Sequence, residues 1–261
     1  SWPVPELLEI EMYRRGASPL IGRTVSSIET PDDWYIKGVD PEILRTALLG
    51  ATIESLGRVG KLMLIETVGA TVGLRFGMTG ILMIDEQPVI AELEYSSNRL
   101  DPAWNRFVAH FADGGQMAMN DPRRLGGVEL DPDLTKLGPD AWSIGAAELQ
   151  PIFGRYKVAA KALLLNQKRI AGLGNLLVDE LLWRSGVSPL RPANEVSYDA
   201  IGRLGEALAP MLDELYRRGG STSGDHFEER HVDGRCPRDG GEMVHATVGG
   251  RSTWWCRTHQ F

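Results

Sequence analysis

Residues 161–192 read KALLLNQKRIAGLGNLLVDELLWRSGVSPLRP. The apolar positions of KALLL and of NLLVDELLW recur at helical spacing, and Gly186 stands where the second helix would stop. Between them lies Gly172-Leu-Gly174-Asn175. Two glycines permit a sharp backbone turn and close approach of amides, and Asn175 at the next helix start can cap that helix or offer its amide to a phosphate. Residues 151–191 hold seven Lys or Arg (Arg155, Lys157, Lys161, Lys168, Arg169, Arg184, Arg191) against Asp179 and Glu180. This basic island fits a phosphate-reading face. It stands out because the whole chain is acidic, with 28 Lys+Arg, 35 Asp+Glu and a net charge of -7. No global basic field advertises nucleic acid, so any DNA-binding surface is local.

Outward from this stretch, residues 144–155 (IGAAELQPIFGR) and 197–219 (SYDAIGRLGEALAPMLDELYRRG) also read as helices. From Thr24 to about Leu130 the text changes. ATIESLGR, KLMLIETVG, ATVGLRFG, GILMID, RFVAHF and QMAMND are short, rich in Val, Ile, Leu and aromatics, and separated by Gly, Asp or Pro. They predict a β-sandwich or barrel, interrupted by one helix over residues 41–49 and preceded by a helix in PELLEIEMYRRG. The fold class is therefore α+β. Residues 1–132 form a sandwich domain with flanking helices, residues 133–218 a helical domain, and residues 219–261 a terminal hairpin module. No run of about 18 apolar residues occurs, and acids stand where a secretory signal would carry bases. These features predict a soluble cytoplasmic protein with no membrane partner.

Both cysteines lie in the last 26 residues, too few for a disulfide framework. Cys236, Asp239, Cys256 and His259 form C-x2-D-x16-C-x2-H, with MVHATV, GG and RSTWWC between the pairs reading as a β-hairpin. Two pairs on tight turns, joined by a hairpin, converge on one point, the geometry of a structural zinc site holding one Zn2+. Aspartate is an uncommon ligand there, and His245 or His231 is an alternative to Asp239. Arg251, at the start of the second hairpin strand, can present its guanidinium to a phosphate.

The sequence resembles the formamidopyrimidine-DNA glycosylase and endonuclease VIII family of base-excision-repair enzymes along essentially its whole length. Residues 161–192 are similar to the family's helix–two-turn–helix segment, and GRSTWWCRTHQ to its zinc finger, with Asp239 and His259 in place of cysteines. PELLEIE resembles the PELPEVE-like start, RVGK the lysine motif, and LRFGMTG and NDPRRLGG two groove-facing loops. The resemblance implies a β-sandwich joined to a helical domain, a monomer on damaged double-stranded DNA, and nucleoid association if bacterial. It places Lys61, Met78, Arg123, Leu125, Lys161, Asn175 and Arg251 on DNA. Met78, Arg123 and Leu125 would fill the void left when the damaged nucleotide is flipped out, Leu125 replacing a usual phenylalanine.

In the family an N-terminal proline amine attacks C1′ and the adjacent glutamate serves as acid or base. Pro5 and Glu6 match these residues, but Ser1, Trp2, Pro3 and Val4 precede Pro5, whose nitrogen is then a tertiary amide and no nucleophile. Three readings remain open. Lys61 serves as nucleophile instead of as a phosphate contact; the Ser1 amine curls back, four extended residues reaching at most roughly 14 Å; or the protein senses and shields lesions without cutting, with Trp2 and Pro3 plugging the site. Catalytic status is thus open. Leu8 replaces a second family proline. The segment between Arg218 and Cys236 is shorter than the loop that covers the flipped base in 8-oxoguanine-removing members, which predicts weak or no activity on that lesion.

Overall fold

The computed structural model describes residues 4–90 and 100–261. The chain divides into two compact units, one built from Glu9–Leu134 together with the residues up to Pro5, the other from Thr135–Phe261 together with Glu6–Leu8. Each has its own apolar core.

In the first unit, β1 (Val25–Glu29), β6 (Ile81–Ile84), β7 (Gln87–Pro88), β8 (Asn105–Phe111) and β9 (Gln116–Asn120) make a sheet of order β1-β8-β9-β6-β7. A second sheet, of order β2-β10-β5-β4-β3, contains β2 (Ile36–Lys37), β3 (Ile53–Val59), β4 (Leu62–Thr67), β5 (Thr71–Arg75) and β10 (Gly127–Leu130). The ladders are antiparallel except β2–β10. One core takes Phe107, Ala109, Phe111, Met117 and Met119 from the first sheet and Met63, Ile65, Val72, Leu74 and Val128 from the second. The period-2 spacing on β8 is the alternation expected of a strand with one face inward. A β-sandwich results. Helix α2 (Pro41–Leu48) starts where Asp40 accepts the Glu42 N–H at 2.8 Å and Pro41 fills the first turn.

The second unit is helical: α3 (Ala146–Arg155), α4 (Ala160–Leu165), α5 (Asn175–Ser185) and α6 (Tyr198–Arg218), followed by the hairpin β11 (Met243–Val248) and β12 (Arg251–Cys256). Helix α6 is capped by Ser197, which accepts from Ala200 N, and ends on left-handed Gly219, as α5 ends on Gly186. Helix α4 has only six residues, shorter than its pattern suggests, because the chain turns at Asn166, whose side chain accepts the Lys168 N–H. Helix α1 (Leu7–Gly16) follows Glu6. Among the described residues no helix is long and apolar enough to cross a membrane.

Candidate nucleic-acid interface and metal centre

The turn that opens the sequence reading delivers the start of α5, and Gly174 is its N-cap with no side chain to cap it. The missing cap comes from Glu6. Its carboxylate accepts from Gly174 N at 2.5 Å, Leu176 N at 3.1 Å and Leu177 N at 3.3 Å, satisfying amide donors that a helix start leaves open. A Cβ at residue 174 would lie 2.6 Å from the Glu6 side chain, so only glycine fits. Asn175 does not cap. Its Nδ2 donates to Ser252 O at 3.0 Å, tying α5 to β12 one residue beyond Arg251.

Below this contact lies a buried ionic cluster. Lys161 is 0% exposed, and its Nζ donates to Asp179 Oδ1 at 2.7 Å, Thr253 Oγ1 at 2.6 Å and Ser252 O at 3.3 Å. The other Asp179 oxygen accepts from Arg230 and from Trp254 N. Burial pushes the Lys161 ammonium below the usual lysine range, against the opposing pull of Asp179. Sequence reading placed Lys161 on a phosphate. The structure corrects this, since a wholly buried ammonium with its three donors engaged cannot reach solvent.

The four terminal residues converge. One ligand atom each from Cys236, Asp239, Cys256 and His259 lie within 4.8 Å of one another. His259 Nε2 donates to Trp183 O at 2.9 Å, and Nδ1 faces Asp239 Oδ2 at 2.9 Å and Cys236 Sγ at 3.7 Å. Cys256 Sγ lies 3.4 Å from Asp239 Oδ1. The donor set of two sulfurs, an imidazole and a carboxylate, gathered at one point, could hold a metal ion. The Gly241 N–H, 2.7 Å from Oδ1, holds the Asp239 carboxyl at about 2, so it is ionised and ready to ligate. Trp183 buttresses both sides of the cluster, because its Nε1–H also donates to Cys236 Sγ at 3.3 Å. The alternatives are engaged elsewhere: His245 bonds Ser252 Oγ and stacks on Trp254, and His231 contacts its neighbour's carbonyl.

In the sandwich unit, Asp121 is wholly buried and joins two loops. It accepts from Thr79 Oγ1 at 2.6 Å, Tyr35 OH at 3.0 Å, Gly126 N at 2.9 Å and Arg124 N at 3.1 Å. Gly77 is left-handed, and a Cβ there would strike the Leu125 backbone at 2.5 Å, so the loops touch main chain to main chain. Met78 and Leu125 project from them 41% and 46% exposed, and Arg123 is exposed beside Leu125. Apolar side chains held out by a rigid base are unlike core residues at strand ends.

Residues 4–128 match the formamidopyrimidine-DNA glycosylase N-terminal domain, and residues 137–226 the H2TH domain of the same enzymes. The chain belongs to the formamidopyrimidine-DNA glycosylase family. The formamidopyrimidine-DNA glycosylase of Xanthomonas axonopodis pv. citri is 33% identical, covering 98% of this chain and 100% of that protein. The one from Lactobacillus delbrueckii is 29% identical over 97% of this chain and 98% of its own length. Among solved structures, Lactococcus lactis Fpg with abasic-site DNA aligns with a TM-score of 0.80 at 26% identity, covering 98% of this chain and 99% of that one. The same enzyme with DNA containing an oxidised pyrimidine aligns equally well.

Against this glycosylase family, Pro5 is buried and Lys61 half-buried at the β3–β4 turn. Ser1, and the plug expected of Trp2 and Pro3, lie outside the described residues. Sequence reading missed Asp121, Asp179, Glu180 and Trp183. The signal was present for two of them: Asp179 and Glu180 interrupt the apolar run NLLVDELLW, and acids so placed are either exposed or engaged in buried bonds. Glu180 is 2% exposed and accepts from Asp225 N and from His226 Nδ1, the latter at 3.0 Å.

Proposed function

We propose that this chain binds damaged double-stranded DNA as a monomer on a base-excision glycosylase scaffold of the formamidopyrimidine type, with one structural Zn2+ on Cys236, Asp239, Cys256 and His259. The observation that carries the reading is Glu6, fixed by three amides of α5 directly after Pro5. A carboxylate so held is a preorganised acid or base beside the residue that matches the family nucleophile. Asn175 and Arg251 would grip the backbone, and Met78, Arg123 and Leu125 would fill the gap in the stack. The zinc would brace the hairpin and take no part in bond breaking.

Lyase chemistry needs a free amine. It attacks C1′ as the glycosidic bond breaks and the base departs with a proton; the amine then loses its own proton, the C1′–O4′ bond opens with O4′ taking a proton, and the resulting iminium can be reduced. While Val4 acylates Pro5, that nitrogen has no lone pair to give. We therefore assign the step to chains in which Pro5 is the first residue, and lesion binding without an adduct to chains that retain Val4.

The test is borohydride trapping on an abasic-site duplex, using the full chain, a chain beginning at Pro5, and Lys61→Ala and Glu6→Gln in each. Adduct from the shortened chain alone supports the assignment. Adduct from the full chain that vanishes in Lys61→Ala moves the nucleophile to Lys61, and adduct that survives points to the Ser1 amine. Tight binding with no adduct from either chain would leave a lesion sensor or a glycosylase without lyase chemistry.

We also infer weak or no release of 8-oxoguanine. The short segment after α6 is tied to α5 through Glu180, and Gly224 packs so closely that a Cβ would fall 2.8 Å from that carboxylate. A rim pinned this way has little freedom to close over a purine. Efficient excision from an oxoguanine–cytosine duplex would overturn the inference.

A further inference from the structure

Trp34 is 58% exposed, yet its surroundings are built as carefully as those of a core residue. It occupies the middle of a single 3-10 turn, Asp33–Tyr35, whose flanks are both fixed. On one side Asp32 receives two hydrogen bonds from the Arg124 guanidinium, with Arg106 3.7 Å away. On the other, Tyr35 is wholly buried with its hydroxyl on Asp121. The turn is thus clamped to the base of the Arg123–Leu125 loop at two points, and the indole is held between them facing solvent. Lys37 places its Nζ 3.0 Å from the indole ring centroid while donating to Trp34 O at 2.7 Å, and the Arg124 guanidinium lies 5.0 Å from the same ring.

Folding an apolar ring into a core would have buried it; here two ion-pair and hydrogen-bond clamps hold it out of one. Two cations, Lys37 and Arg124, lie against the ring, and Arg106 stands beside Asp32. Lys37 covers one face of the indole, and the surface that leaves the ring 58% exposed matches the chemistry of an unstacked nucleotide, whose base stacks on the ring and whose phosphate meets the neighbouring cations. Arg124 lies between Arg123 and Leu125 in sequence, so the platform is continuous with the loop assigned to the DNA gap. A base whose pairing partner has been flipped out is the natural occupant, because its stacking is already weakened.

We propose that Trp34, with Lys37 and Arg124, forms a stacking platform for an unpaired nucleotide of the lesion-bearing duplex. This rests on the DNA-binding reading above. It adds a contact that reads disorder in the helix without touching the damaged base, so it would raise affinity for any lesion that leaves a base unpaired.

The test compares Trp34→Ala and Trp34→Phe with the unaltered full chain on an abasic-analogue duplex and on a fully paired one. Arg251→Ala serves as a phosphate-contact control, and urea unfolding is measured for each. A platform predicts that Trp34→Ala weakens the abasic-analogue duplex about ten-fold and the paired duplex about two-fold or less, that Trp34→Phe stays within about three-fold, and that urea midpoints do not move. An iododeoxyuridine opposite the abasic site should photo-crosslink to Trp34. Unchanged binding by Trp34→Ala, or equal losses on both duplexes accompanied by a lowered urea midpoint, would overturn the proposal. If the unaltered chain shows no salt-dependent binding, the DNA-binding reading itself fails. If Arg251→Ala weakens binding and Trp34→Ala does not, only the platform is refuted.

Discussion

Replacing Asp179 with alanine would leave Lys161 and Arg230 facing one another in a space closed to water. In the native protein Asp179 is 1% exposed and answers both cations as well as the Trp254 N–H. Removing one partner of a buried ion pair costs about 3–5 kcal/mol, mostly through the charge left behind. The orphaned Trp254 amide adds about 1–3 kcal/mol, overlapping in part with the first cost. A loss of about 4–6 kcal/mol is expected against a typical total of about 5–15 kcal/mol, so the variant should be at the edge of folding. Urea unfolding followed by tryptophan fluorescence reads this directly, as a fall in midpoint with little change in slope.

The pH dependence has a definite sign. Burial already holds the Lys161 pKa below its unfolded value, and Asp179 opposes that shift. Without Asp179 the native state binds fewer protons than the unfolded chain, so stability of Asp179→Ala should rise with pH between the lowered native pKa and the unfolded value near ~10.4. The native protein should show a shallower rise over the same window. Lys161→Met/Asp179→Leu, which removes the Lys161 charge but leaves Arg230 and the Trp254 N–H unanswered, should recover part of the lost stability. A loss under about 1 kcal/mol for Asp179→Ala, or no recovery in the double variant, would refute the closed ion-pair account.

Two more outcomes follow from the geometry. The purified chain should carry about one zinc per molecule by elemental analysis; His259→Ala should abolish retention, and Trp183→Phe, which removes the N–H to Cys236 Sγ together with part of the ring that stacks on His226, should weaken it about 10–100-fold against a chelator. Glu11 is 6% exposed; burial raises its pKa, but hydrogen bonds from Arg14 and Arg15 and the Arg58 charge outweigh this and hold it below the ordinary value. Its stabilisation is therefore present above the unfolded glutamate pKa and lost as pH falls through the lowered one, so Glu11→Gln should flatten that part of the acid-unfolding curve.

Apolar periodicity made the elements legible. Strands β3 to β6, β8 and β9 and helices α2, α3, α5 and α6 lie where the alternation and punctuation put them, because burial of one face per element is written in every second or every third to fourth residue. The hairpin and its four converging side chains were legible because metal-site spacing is local. What escaped was polar and long-range. Nothing near Glu6 in sequence announces that it will cap a helix some 170 residues away, since its partners are backbone amides with no residue identity to read. Lys161 was misplaced for a related reason. Charge alone does not say which side of a six-residue helix faces inward, and the acid that neutralises it lies in another helix.

Asn175, Asp179 and Trp183 recur at intervals of four, which aligns them as one stripe along α5. Along that stripe the terminal module is fastened at three points: Asn175 to Ser252 O, Asp179 to Lys161 and Trp254 N, and Trp183 to Cys236 and His259. An apolar stripe would have bound the hairpin as firmly, but it would have tolerated sliding. Directional bonds at fixed spacing set the register of β12 against α5, and with it the position of Arg251 relative to Asn175. The same helix holds Glu6 at its first turn and, through Glu180, the segment at 224–226. One eleven-residue helix therefore locates Glu6, Asn175 with Arg251, the loop after α6 and the Cys236–Asp239–Cys256–His259 cluster within the helical unit. That concentration explains why α5 carries buried acids where propensity and packing alone would have asked for leucine.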